Sequence, residues 1–349
     1  MEGESTRTVA VRAQRLMNSL KRLSSLSALC VSVTCCLFSQ AWLNPKDQGS
    51  ATLLYQYGFD RYHAMSQGEA VDRGHTSLQA LMLDVDYSLT DRLAVRLGVP
   101  FIKGMYRGQQ PHLLVRGRPD TVVAIDDGRY HGGLQDVRFD VRYNVSRKLL
   151  MVTPFFTASI PSHSYPTLGH GAVGTDQREY RIGVSMGRQL NPFLPKAYVQ
   201  GRYGFGMVQQ VAHIAPKRSY AEFQLGYVLS AKISLQASTV WSHSHNGIPF
   251  LNNVFPSNLT EEQYLNHDRI GRQSLLDVGA SASYGITRKT NLFVGWGRSI
   301  QGVNTHLRSL VLTVGVTKSF TARSREEKKS VLPSTESKKV LVCTCAKSK

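Results

Sequence analysis

The chain has 349 residues, 42 % of them hydrophobic, and its 42 Lys and Arg outnumber 24 Asp and Glu for a formal net charge of +18. A mean hydropathy of −0.22 and the lack of any long apolar run argue against spanning helices; the nearest candidate, 23–38, is short and Ser-rich. The ends (1–41 and 321–349) hold 13 of the basic and 5 of the acidic residues, leaving a net +10 between them. Those charges stand singly, which suits an anionic lipid surface and not a nucleic-acid partner.

The first element in the chain is a leader. Lys21 and Arg22 precede the apolar stretch LSSLSALCVSVTCCLF, and Ser39-Gln40-Ala41 is a small-x-small cleavage site. A start at Met17 gives the leader an ordinary length, so the expected mature chain begins at Trp42. Cys30, Cys35 and Cys36 lie in the leader, Cys343 and Cys345 in the far tail, and residues 42–320 have none. That pattern fits export without a disulfide framework.

From Trp42 onward the apolar residues recur with period 2. Val137, Phe139, Val141 and Tyr143 alternate with Asp136, Arg138, Asp140 and Arg142; Tyr180, Ile182, Val184 and Met186 alternate with Arg181, Gly183, Ser185 and Gly187. Ala221 to Leu229 and Leu276 to Tyr284 repeat the pattern. Short connections at 88–92, 145–148, 190–196, 229–232 and 286–290 alternate with long polar ones at 58–76, 107–133, 161–177, 210–218, 245–272 and 301–306. Five short turns and six long loops require twelve strands. The expected fold is an all-β, antiparallel, up-and-down transmembrane barrel of the bacterial outer membrane, with short periplasmic turns and long outer loops. A soluble β-sandwich would alternate too, but it has no need of the short/long rhythm.

The last strand, SLVLTVGVTKSF, ends on Phe320. Its aromatic end resembles the signal by which such barrels engage their insertion machinery, although Lys318 replaces the usual apolar residue. Residues 321–349 are rich in Lys, Ser and Glu and are expected to form a disordered tail. The organisation read from the sequence is a signal peptide (1–41), a barrel (42–320) and this tail.

Function should lie on the inward rows and the loops. The inward charged set is Asp84, Asp86, Arg96, Asp136, Arg138, Asp140, Arg142, Arg181, Arg202, Glu222 and Asp277, nearly balanced in sign. Buried together, such groups must pair or meet water. They either tie the wall together or touch a solute in a narrow, partly plugged passage. The inward Ser185 and Gln224 should have room for an Arg that the outward Val184 and Leu225 lack. All eleven histidines fall in outer loops or at outer strand ends, but only His243 and His245 are close in sequence, and no ligand spacing recurs. No metal or other cofactor is expected, with that pair the weak candidate. HSHNG (243–247) is similar to the H-x-S-N-G stretch of outer-membrane phospholipase A, yet His245 stands where the nucleophile belongs, so no enzyme is expected.

The segments DDGRYHGGLQDVRFDVRYNV (126–145) and IPSHSYPTLGHGAVGTDQREYRIGVSMGRQLNPFLPKAYVQGRYGFG (160–206) resemble a family of bacterial outer-membrane barrels labelled transporters of the meta-cleavage pathway of phenol degradation. The likeness lies in layout and carries no catalytic residues. It implies passage of small molecules, aromatic ones among them, across the outer membrane. The expected function is a passive channel for small, aromatic or hydrophobic solutes, porin-like in type. The alternative is a structural or surface-interaction barrel. The expected partners are outer-membrane lipid and lipopolysaccharide, the insertion machinery through the strand ending at Phe320, and the solute.

Overall fold

The computed structural model describes residues 41–72, 74–108, 125–250 and 258–322. The expected leader, apart from Ala41, and the tail beyond Ala322 lie outside these residues, as do all five cysteines and His112. Twelve long strands follow one another: β1 (Gln48–Ala64), β2 (Gly74–Ser88), β3 (Leu93–Gly108), β4 (Val137–Tyr143), β5 (Met151–Ile160) and β6 (Glu179–Gln189) make the first half. β7 (Ala197–Val208), β8 (Lys217–Val228), β9 (Ile233–Ser244), β10 (Ser274–Thr287), β11 (Thr290–Val303) and β12 (Thr305–Thr321) make the second. Each strand pairs antiparallel with its sequence neighbour, and β12 returns to β1 from Gln48↔Thr321 to Ala64↔Thr305. The sheet is closed, so no strand edge is left to pair elsewhere.

Both described ends of the chain lie at the barrel end that carries the short turns, here the turn end; the long connections lie at the opposite loop end. The alternation decides which side of each strand meets lipid. Leu53, Leu83, Phe139, Ile182, Phe223, Leu225, Leu312 and Val314 are exposed on the outer wall, while Thr52, Asp84, Asp140, Ser185, Gln224 and Thr313 are buried inside. The closed ladder pairs strand backbones with one another without water, and the apolar outside suits the bilayer, as such a barrel demands.

The strands reach further at the loop end than the sequence suggests. β1 runs on to Ala64 and β12 starts at Thr305, so the expected long connection at 301–306 shrinks to Asn304, held at φ 51°. A bulge shifts the β1–β12 register at Asp60, which faces Arg308. At the turn end Phe320 lies opposite Gly49 and stacks on Tyr87 with ring centroids 6.4 Å apart. A Cβ at Gly49 would lie 2.7 Å from that ring, so only glycine leaves room for the final aromatic residue.

The loop end is covered. The β9–β10 loop contains two short helices, α1 (Glu261–Leu265) and α2 (His267–Ile270). Thr260 and Gln263 form a reciprocal capping box at the start of α1. Ile248 and Ile270 from this loop pack with Ala212 from the β7–β8 loop. Arg269 donates to the carbonyls of Thr175 (2.8 Å) and Asp176 (2.7 Å) in the β5–β6 loop. Loops that satisfy one another's backbones in this way behave as a cap and not as free tails.

Candidate functional site

The lumen is the candidate site, and charge pairs cross it on eight of the twelve strands. Arg142 on β4 is 1 % exposed and pairs with Asp86 on β2, which Arg96 on β3 also reaches at 3.2 Å. Asp140, two residues before Arg142, accepts from Thr157 and from Arg202 on β7 (3.2 Å), and the Arg202 guanidinium lies 3.7 Å from the Phe155 ring. Towards the loop end Glu179 accepts from Arg181 (2.9 Å), Arg218 (3.3 Å) and Tyr220 (3.0 Å). Arg308 pairs with Asp277, which also accepts from Ser299 at 2.7 Å. Groups buried this deeply persist only when paired, so these contacts fix the distance between strands two and three apart in the sequence of the chain.

Of the charged residues expected to face inward, Asp86, Arg96, Asp140, Arg142, Arg181, Arg202 and Asp277 take part in these pairs. Asp84 and Arg138 meet above Gly98, where a Cβ would lie 2.6 Å from the Asp84 carboxylate and 3.5 Å from Arg138 Nε. Glu222 is half-buried on the inner row opposite Arg202. Asp136 accepts from the Tyr165 hydroxyl at 2.5 Å in the entry to β4. Burial pushes the Asp136 carboxyl up, against that hydrogen bond, and burial also raises the Tyr165 hydroxyl. Four further charged groups belong to the same lattice: Asp60, Glu179, Arg218 and Arg308. Asp60, Arg218 and Arg308 lie in strand ends that the sequence reading assigned to loops or beyond the bulge, so counting alternation from the strand centre misses them, whereas Glu179 continues the inward row of Arg181 by one more step.

An apolar cluster lies among these charges, partly on strands that also carry them. Leu54 of β1, Leu78, Ala80 and Met82 of β2, Ile102 of β3 and Phe293 of β11 face inward and pack together with Val173 of the β5–β6 loop. This departs from the expected polar inner row. The Phe293 ring lies over Gly315, where a Cβ would stand 2.4 Å from it. A small gap of about 20 Å³ remains between Leu78, Ile102, Val311 and the Asp60–Arg308 corner.

Both ends of this lumen are narrowed. Residues 41–47 turn into the barrel from the turn end. The Ala41 carbonyl accepts from Thr153 (2.7 Å) and Asn144 (3.3 Å), and the Trp42 ring meets Tyr198 edge-on at 5.8 Å. The same ring covers Gly187, where a Cβ would lie 2.6 Å away. From the loop end the β5–β6 loop folds inward, and the Asp126 carboxylate takes the amides of His170 (3.1 Å) and Gly171 (2.8 Å). Among the described residues the barrel encloses a closely packed interior, a charged lattice beside an apolar cluster, covered at each end by a short segment.

Solved structures of outer-membrane proteins share this shape. An outer membrane channel from Pseudomonas putida F1 superimposes with a TM-score of 0.61 over 82 % of this chain and 100 % of its own, at 13 % identity. The chain has the fold of an outer-membrane β-barrel. The translocator domain of the autotransporter NalP from Neisseria meningitidis covers 90 % of the chain and 98 % of its own length at 12 % identity, with a TM-score of 0.45. The P. putida toluene transporter TodX covers 80 % and 92 % at 10 % identity, with a TM-score of 0.40. No protein-family model matches the sequence, and no curated protein matches it either.

Ten of the barrel's histidines lie among the described residues, at or beyond the loop end of the strands. His243 and His245 stand with ring centroids 4.1 Å apart, His243 against Trp241 on the outer wall. His245 Nε2 lies 2.7 Å from Ser219 Oγ, a hydroxyl–imidazole contact between β8 and the residue after β9 that no sequence spacing announces. Ser244 points inward and is buried, away from His243. A different trio, His63, His170 and His306, brings one ligand atom each to within 4.8 Å of the others. These residues lie on β1, in the β5–β6 loop and on β12, too far apart in sequence for spacing to reveal.

Proposed function

We propose that this protein is a passive channel of the bacterial outer membrane for small neutral solutes with apolar, above all aromatic, character. The observation that carries this reading is the apolar inner face of Leu54, Leu78, Met82, Ile102 and Phe293. A hydrophilic pore has no use for such a surface, because water and ions gain nothing from it. The charges beside it are paired and of mixed sign, so they focus no single-ion field and select little between cations and anions. A small aromatic ring could exchange its hydration for the apolar strip while its polar group meets those charges. The phenol-pathway resemblance of the loops agrees with that chemistry. In this reading the turn end faces the periplasm, lipopolysaccharide surrounds the loop end, and the strand ending at Phe320 meets the insertion machinery.

The test is uptake of phenol by intact cells of a strain whose outer membrane otherwise admits it slowly. Wild type should speed depletion several-fold, and Met82→Glu, which sets a carboxylate into the apolar strip, should abolish most of the gain. Leu78→Gln, milder because Leu78 is half-buried, should give an intermediate rate. Both variants must show the heat-modifiable migration of a folded barrel. Equal uptake with and without the folded protein would transfer the assignment to a surface-interaction barrel.

A further inference from the structure

We propose that His63, His170 and His306 form a binding site for a first-row divalent cation, Zn²⁺ above all, which fastens the β5–β6 loop to the closing seam of the barrel. This goes beyond the channel reading and does not rest on it. Among the described residues these three side chains are the group whose geometry could hold a metal ion. His170 Nδ1 and His306 Nε2 are 2.7 Å apart, and the ring centroids stand 5.0 Å apart for His63 and His306 and 6.0 Å for His63 and His170. A tetrahedral Zn²⁺ with nitrogen ligands at about 2.0–2.1 Å needs them roughly 3.3 Å from one another. The closest pair would open by about 0.6 Å and the others, which lie within 4.8 Å, close by at most about 1.5 Å, within reach of rotamer adjustment.

The backbone around the trio is held before any ion arrives. His63 and His306 are direct register partners in the β1–β12 ladder, the seam where the sheet closes on itself. His170 is fixed from two sides: its amide donates to Asp126, and its carbonyl accepts from Thr76 on β2 at 3.4 Å. Its ring also lies 4.5 Å from that of Tyr106, which limits rotation. A site whose ligands are set by strands and buried hydrogen bonds loses little entropy on binding.

There is room and a counter-charge. A cavity of about 50 Å³ adjoins the three imidazoles and is also lined by Gly169, Asp268 and Gln273. That is enough for an ion and one water. The Asp268 carboxylate, which accepts from the Gly169 amide at 3.2 Å, lines the same space. It can neutralise part of the ion's charge or supply the fourth ligand. Three imidazoles with one open position suit Zn²⁺, Co²⁺, Ni²⁺ or Cu²⁺ and do not suit Mg²⁺ or Ca²⁺, which take oxygen ligands. Binding would tie the first strand, the last strand and the inward-folded loop at one point.

The experiment is calorimetric titration of chelator-stripped, folded protein in detergent with ZnCl₂, followed by unfolding temperature from heat-modifiable migration. One Zn²⁺ per barrel should bind, raise the unfolding temperature and resist competition by Mg²⁺. His170→Ala, which lies in a loop and leaves the strands intact, should weaken binding by about tenfold or more, and His306→Ala should do the same. The double variant His243→Ala/His245→Ala should bind as wild type does. No saturable binding, binding indifferent to His170 and His306, or binding lost only in the His243/His245 variant would each overturn the site. Phenol uptake is not a readout here, so failure of this site and failure of the channel reading are distinguishable.

Discussion

Replacing Arg142 by Ala is expected to cost about 3–5 kcal/mol of barrel stability, because a buried charge partner is removed and not replaced. Arg142 is almost wholly enclosed and pairs with Asp86. Arg96 would remain beside Asp86 at 3.2 Å, but Asp84 and Asp140 also lie on the neighbouring inner rows, so the lattice would be left with an excess of negative charge. The double variant Arg142→Ala/Asp86→Ala should recover part of the loss, since the acid that most needs the guanidinium goes with it. Denaturant titration of barrel folding into vesicles measures both. A cost below about 1 kcal/mol would mean that water solvates this part of the lumen and that the pairs are not buried in the sense argued above.

The second large effect is expected on the outer wall. Leu225 is 45 % exposed in the middle of β8, flanked across the sheet by Val199 and Ala237. Leu225→Arg should destabilise by about 2–4 kcal/mol when the barrel is folded into a bilayer, the cost of an arginine near the membrane midplane. Leu225→Phe should be close to neutral. The inward neighbours do not offer the relief that alternation alone suggests. Ser185 is 0 % exposed and Gln224 is buried in hydrogen bond with Gln200, so the lumen has no space for an arginine at either position. Ser185→Arg should therefore also fold poorly, for steric reasons that persist in detergent. Leu225→Arg should recover in detergent, where the arginine head can reach water.

The contrast shows which parts of this molecule can be read from its sequence. The ladder from Asp136 to Arg142 is legible because charge and apolar residue alternate without a break, and a one-residue slip would put four charges into lipid. The run Leu78 to Leu83 is not legible in that way. Its apolar residues occupy both faces, and only the register with Asp84 and Asp86 shows that Leu78, Ala80 and Met82 face inward. Arg308 is hidden by the bulge at Asp60, since counting back from Leu310 places it on the lipid side. The inner stop formed by residues 41–47 has no periodicity at all, because it is held by single contacts to four different strands. The histidine trio is drawn together by closure of the barrel, which no local pattern encodes.

The central claim is that a narrow passage crosses this barrel and that a short segment at its turn end restricts it. Single-channel conductance in planar bilayers, wild type against a variant lacking residues 42–46, tests it most directly. Wild type should give small, weakly ion-selective openings. Removal of the Trp42 ring from its place against Gly187 and Tyr198 should raise conductance several-fold while heat-modifiable folding is kept. Folded wild type and folded variant that are both silent, or that conduct identically, would contradict the account.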